Sequence, residues 1–302
     1  SVGIGYLAGK YATGSYNTFV GSQAGKGGTT SAPYSSGTYN TALGYNSLAS
    51  FTTGYQNVMI GAFTGDAITT GYNNTALGYG ALSAEDTGTR NVAIGNEALN
   101  VLNYDGAGYN VAVGHRAGYA LTTGTVNTFI GAFAGGATDD GTRNVALGYA
   151  AMDTGNAGDD NIAIGYGALQ DTTASSNIAI GSSAMIQHTT GARNIAIGHA
   201  AMDDTDAGSN SLGSSDNIFI GYNAGGGTWA DVASIQNVVI GNNSADASFS
   251  GANYNVGMGT NVYGALTQGD ANSAFGHGSL TALTTGGSLS LIHISEPTRP
   301  TP

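Results

Sequence analysis

A five-residue phrase returns along the whole chain at nearly fixed intervals. It reads Asn161-Ile162-Ala163-Ile164-Gly165 in one copy, and Asn91-Val92-Ala93-Ile94-Gly95, Asn144-Val145-Ala146-Leu147-Gly148 and Asn194-Ile195-Ala196-Ile197-Gly198 in others. Its closing glycine stands at 5, 21, 44, 61, 78, 95, 114, 131, 148, 165, 181, 198, 221, 241, 259 and 276, sixteen copies with 17 residues as the commonest spacing. A fixed period of this length restricts the chain to a stacked architecture, because one such unit cannot bury an apolar face alone.

The phrase predicts a strand, being too short for a helix and rich in β-branched residues. The position before the glycine is apolar in every copy, from Ile4 to Phe275. Two before it stands mostly Ala, with Phe19, Phe129 and Phe219 as larger variants, and three before it stands Val, Ile or Thr, with Ser273 as the exception. Neighbouring residues of a strand point to opposite faces, so both faces are apolar. The expectation is that one face fills the inside of a coil while the other, lined mostly with Ala, lies against a second partner. A second short strand is expected after the glycine, as in Tyr79-Gly80-Ala81-Leu82 or Tyr166-Gly167-Ala168-Leu169. A polar turn follows, often Thr-Thr-Gly (Thr52-Thr53-Gly54, Thr69-Thr70-Gly71, Thr122-Thr123-Gly124, Thr189-Thr190-Gly191). The predicted fold is all-β, a parallel β-solenoid of about 16 coils over residues 1–288. At the ~4.8 Å separation of paired strands it would be a rod roughly 75 Å long.

Stacking turns one residue per coil into a column: Asn17, Asn40, Asn57, Asn74, Asn91, Asn110, Asn127, Asn144, Asn161, Asn177, Asn194, Asn217, Asn237, Asn255 and Asn272. A primary amide both donates and accepts, so a buried Asn ladder satisfies itself where stacked carboxylates would repel. The longer spacings mark insertions between Gly25 and Tyr39, Asn100 and Tyr109, Ala201 and Asp216, and Gly225 and Gln236. Insertions of this kind collect on one face, often the binding face. Tyr34 and Tyr39 in the first, Tyr104 in the second and Trp229 in the last are the candidates for contact with a receptor or glycan.

The composition excludes several classes. Only 9% of residues are charged and the net charge is −12, so there is no basic track for nucleic acid. No run is long enough to span a membrane as a helix, and the absence of Cys rules out disulfides and thiolate chemistry. Nothing reads as a catalytic constellation, and neither a cofactor nor a metal is expected. The acidic pairs Asp139–Asp140 and Asp159–Asp160, and the cluster Asp203, Asp204 and Asp206, fall at different offsets in their turns and read as solvated charge. Arg90, Arg143 and Arg193 each precede a column Asn and are expected to pair with nearby acids at little net energy. His115, His199 and His277 share the column just after the glycine with Tyr6, Tyr45, Tyr79, Tyr149, Tyr166 and Tyr222.

The two ends break the pattern differently. Ser1 stands in the Asn column, so the array is expected to begin inside a longer one. Residues 289–302, beginning Leu289-Ser290-Leu291-Ile292, break every column and resemble the in-frame translation of a transposon-end sequencing adapter. They are set apart from the repeat domain as a non-native tail.

The Asn-x-Ala-Ile-Gly phrase, followed by a short Ala-containing segment and a Gly turn, resembles the head repeats of trimeric autotransporter adhesins. The Gly-Tyr-x-Ala-Leu…Thr-Thr-Gly variant is still more similar to repeats in bacteriophage tail fibres. The resemblance covers residues 1–288 and implies a left-handed β-roll, three chains about a threefold axis, and display on a virion or, alternatively, on a bacterial cell surface. The expected function is then the receptor-binding segment of a trimeric tail fibre, with an adhesin head as the alternative. From the Thr-Thr turns alone, a monomeric ice-binding solenoid is a reading of another class.

Overall fold

A computed structural model describes residues 1–28, 34–205, 213–229 and 232–292 of the chain. The protein is a parallel β-solenoid of about sixteen turns, and no described residue is helical. It falls into two compact units, Ser1–Tyr166 and Gly167–Pro302. In the first unit, ten three-residue strands, β1 (Val2–Ile4) to β10 (Ile162–Ile164), pair in chain order and in parallel. In the second, β11 (Ile178–Ile180) to β17 (Ser290–Ile292) do the same. The register is one full repeat: Thr75, Ala76 and Leu77 of β5 (Thr75–Leu77) face Val92, Ala93 and Ile94 of β6 (Val92–Ile94).

Each turn carries one strand, not two. After the glycine the backbone alternates its hand: the second and fourth residues have positive φ, as in Glu97 (φ 55) and Leu99 (φ 48). Their N–H groups then point to opposite neighbours. Glu97 donates back to Tyr79 at 2.8 Å, and Leu99 donates forward to Ala117 at 3.0 Å. The segment is therefore hydrogen-bonded to both flanking turns without being extended, and main-chain groups that a second strand would satisfy are satisfied another way. The glycine that precedes it is fixed sterically. Gly21 has φ 131, and a Cβ there would lie 2.6 Å from the carbonyl oxygen of Gly44 in the next turn.

The strand faces are the reverse of the expected assignment. The Ala column points into the coil and is fully buried, as at Ala42, Ala76, Ala93, Ala146 and Ala196. The residues on either side of it point outward. The interior is narrow, and the residue four after the glycine reaches across it to the strand centre. The two sizes are complementary. Ala faces Leu or Met (Ala76/Leu82, Ala146/Met152, Ala196/Met202), all buried. Phe faces Gly: a Cβ on Gly135 would lie 2.7 Å from the Phe129 ring, and one on Gly225 would lie 2.7 Å from Phe219. Met59 faces Gly65 in the same way, and Gly257 faces the buried Tyr263. Two turns are small on both sides, Gly3/Gly9 and Ala112/Gly118, and there the Phe of the next turn fills the gap: a Cβ on Gly118 would lie 2.9 Å from the Phe129 ring, and one on Gly9 3.1 Å from Phe19.

The Asn column also points inward. Each amide oxygen accepts the main-chain N–H of the next column residue at 2.8–3.2 Å within each unit. The amide nitrogen donates to the turn glycine of the following coil, as from Asn57 to Gly71 and from Asn127 to Gly141. The pairing also runs past residue 288. Ser290–Ile292 pairs with Ser273–Phe275, and Leu289, in the Asn column, donates its N–H to Asn272 Oδ1 at 3.0 Å. Main-chain pairing needs no particular side chain, so a segment that fits no column still adds a rung. Residues 293–302 lie outside the described residues, as does Asp206.

Candidate interaction surface

The outward positions of the strands make an aliphatic strip on each unit. In the first unit it includes Ile4, Leu43, Leu77, Ile130 and Leu147, and Leu43 and Leu77 are each 46% exposed. The companion column two residues earlier is Val, Ile or Thr, as at Val58, Val92 and Val111. In the second unit the same two columns run through Ile178 and Ile180, Ile195 and Ile197, and Ile218 and Ile220. Ten rungs at ~4.8 Å make the first strip about 43 Å long. A contiguous, uncharged aliphatic strip of that length is a candidate contact surface.

Aromatic rings flank the strip at the first or second position after the glycine. His115, Phe133, Tyr149 and Tyr166 form a chain of ring contacts at 5.1, 5.8 and 5.6 Å, and Tyr45, Phe63 and Tyr79 form another at 5.2 and 5.9 Å. On the other flank, just before the Asn column, neighbours match by chemistry. Tyr16 stacks on Tyr39 at 4.9 Å, Arg143 bonds Asp160 at 2.6 Å, and Arg193 bonds Asp216 at 2.6 Å. The arginines hold the carboxyls of Asp160 and Asp216 below the usual range. Arg90 departs from the expected acid pairing. Its guanidinium lies over Tyr72 at 5.2 Å and over Tyr109 at 5.6 Å.

The four aromatic candidates separate. Tyr34 and Tyr39 are exposed, and Tyr34 stacks on Tyr11 at 6.2 Å. Tyr104 is exposed too, and its main-chain N–H donates to Glu85 Oε2 at 3.4 Å. Trp229 is no surface residue. It is fully buried, its indole N–H donates to the Gly225 carbonyl at 3.0 Å, and its ring packs on Phe219 and Phe249. Trp229 thus adds a third ring to the interior beside Phe219 and Phe249.

Against known proteins, the chain matches no family model, no curated protein and no solved structure. The surface thus rests on its own geometry.

Besides Tyr263, the titratable groups Glu85 and His188 stand buried inside the coil. Glu85 occupies a position that is Phe51 or Ile68 in neighbouring turns, and all three side chains are fully buried. Burial pushes its carboxyl up to about 7, against the hydrogen bond from Gly88 N–H at 2.6 Å. His188 bonds Thr205 Oγ1 at 2.6 Å and the Gly191 carbonyl at 2.8 Å. Of the acidic turns, Asp139 and Asp140 are bonded by Thr122 and Asn156. Asp204 accepts from Thr228 at 2.8 Å, and burial raises the Asp203 carboxyl. No group of three metal-ligating side chains is found among the described residues.

Sequence reasoning did not single out the outward strip or the pair Tyr55 and Tyr72, which stack at 4.6 Å beside Arg90. Aligning the repeats on Asn would have found the second, since Tyr55 and Tyr72 each stand two residues before a column Asn. The strip needed the three-dimensional answer to which strand face points inward.

Proposed function

We propose that this chain is a structural and receptor-binding segment of a homotrimeric fibre of the tail-fibre kind, displayed on a virion surface and presenting its edge residues and insertions to a host-surface receptor or glycan. The observation that supports it is the outward aliphatic strip. A column of Ile, Leu and Val facing water over ten successive turns is costly at ~25 cal/mol per Å² of apolar surface, and a second and third copy would cover it. The low charge along the strip places no like-charge repulsion in the way of that contact. The rings of Tyr45, Tyr79, Tyr149 and Tyr166 border the strip as an amphipathic rim of the sort that interfaces favour. In this reading the left-handed roll and the threefold axis follow from the resemblance of the repeats, and no catalysis is involved.

Sedimentation equilibrium of the full chain tests it. A species of three times 30.0 kDa is the expected result. The Leu77→Asp variant is expected to sediment as a folded monomer, with a far-UV spectrum like that of the parent. A well-folded monomeric parent would overturn the fibre reading, and thermal hysteresis in that monomer would favour the ice-binding solenoid.

A further inference from the structure

Arg90 is the one described arginine without a carboxylate partner among the described residues: Arg116 is paired with Glu97, Arg143 with Asp159 and Asp160, and Arg193 with Asp216. Arg143 and Arg193 occupy the same column position as Arg90, and in both cases the next turn supplies an Asp. At Arg90 the next turn supplies Tyr109 instead. The guanidinium is held between two rings, with Nη1 bonded to Thr89 Oγ1 at 3.3 Å and Tyr72 Oη at 3.5 Å. No described residue accepts from its Nε or Nη2. A guanidinium presents five donors in a planar fork that fits a carboxylate, and flanking rings fix that plane at little further entropic cost. In a chain of net charge −12, such an un-neutralised fork is exceptional.

What surrounds the fork is also specific. Asn73 and Tyr109 are exposed in the two flanking turns, and Tyr55 and Gln56 in the turn beyond Asn73, giving phenol hydroxyls, primary amides and ring edges along four successive turns. Donor–acceptor groups of this kind suit a polyhydroxylated ring better than an apolar side chain. We propose that the surface around Arg90 binds the carboxylate of an acidic oligosaccharide, Arg90 taking the carboxylate and Gln56, Asn73 and the tyrosine hydroxyls taking sugar hydroxyls. The source of such a sugar, a host surface, rests on the attachment reading above; the chemistry of the site does not.

The test uses the full chain on immobilised oligogalacturonate and a sialylated trisaccharide, each beside its carboxyl-reduced form, with polyglutamate as the acidic peptide control. Binding to an acidic sugar is expected, weaker by about tenfold to a hundredfold for its reduced form and for Arg90→Ala. Arg193→Ala, which removes an already neutralised arginine, is expected to bind like the parent. Binding unaffected by Arg90→Ala, equal binding of polyglutamate, or no binding to any acidic sugar overturns the proposal. Sedimentation of the same samples separates the two readings. A monomer that binds acidic sugar through Arg90 keeps this site and removes the fibre. A trimer that binds only neutral sugars keeps the fibre and removes this site.

Discussion

Every residue that precedes a column asparagine holds a left-handed backbone, and none of them is glycine. That conformation costs an ordinary L-residue about 1–2 kcal/mol, so it persists because the ladder on one side and the strand on the other dictate it. Asn73 at φ 58 and Asp160 at φ 61 bear it most easily, since their short polar side chains tolerate that region. Val126 at φ 61 bears it worst, because branching at Cβ crowds the backbone there. Its side chain is about half exposed, so little packing is lost on replacing it. Val126→Asn is expected to raise stability by about 1 kcal/mol, read as a higher denaturant midpoint at unchanged m. An unchanged or lower midpoint would show that the position is not strained. Arg90, Arg143 and Arg193 share this backbone, which aims each of them at the residue below it in the column.

Within one turn, the element that decides packing is the pair formed by the strand centre and the residue four after the glycine. Phe129→Ala alone would open a cavity, at about 3–5 kcal/mol. Gly135→Leu alone would drive a side chain into the Phe129 ring. The double variant restores the Ala/Leu pairing that Ala76 and Leu82 already show, so a coupling of roughly 2 kcal/mol is expected in a double-mutant cycle. Leu is acceptable at that backbone, since Leu82 holds φ 55. The buried Glu85 gives a second, pH-dependent expectation. Its folded-state carboxyl titrates near 7 rather than 4.5, so the folded chain keeps a proton that the unfolded chain releases between those values. Its contribution to stability is therefore full below pH 4.5, falls as pH rises to about 7, and is flat above; the loss is on the order of 3 kcal/mol. Glu85→Gln is expected to remove that fall, leaving the parent-minus-variant difference in unfolding free energy as the measure. The turn's period, its strand, its inward asparagine and the position of its insertions are legible in the sequence because each repeats at a fixed offset. The strand's facing was not, since Ala-in and Ala-out obey the same alternation. Only the residue across the coil decides between them, and it lies six positions on, behind a reversal that no propensity encodes. Trp229 was misplaced for a related reason: an aromatic in an insertion looks free until the rings it packs on, Phe219 and Phe249, are known to be inside the coil.

For the whole molecule, neighbouring turns interact and distant ones do not, so stability is a sum of local terms. If three copies cover one another's strips, the melting temperature is expected to climb with protein concentration over a hundredfold range, whereas a monomer's would not. Leu77→Asp should flatten that dependence while leaving the solenoid itself intact. The column of main-chain bonds between turns has a mechanical corollary. In the first unit, each rung bonds only to the rungs before and after it. A pull applied to the two ends of that unit therefore loads the rungs one after another, like teeth of a zipper, instead of all together. A turn of 17 residues, once peeled, would lengthen the tether by about 50 Å, and the 23-residue turn between Gly21 and Gly44 by about 70 Å. Such a unit yields in small, countable increments and re-forms each from its neighbour, which makes it a spring with a built-in ruler.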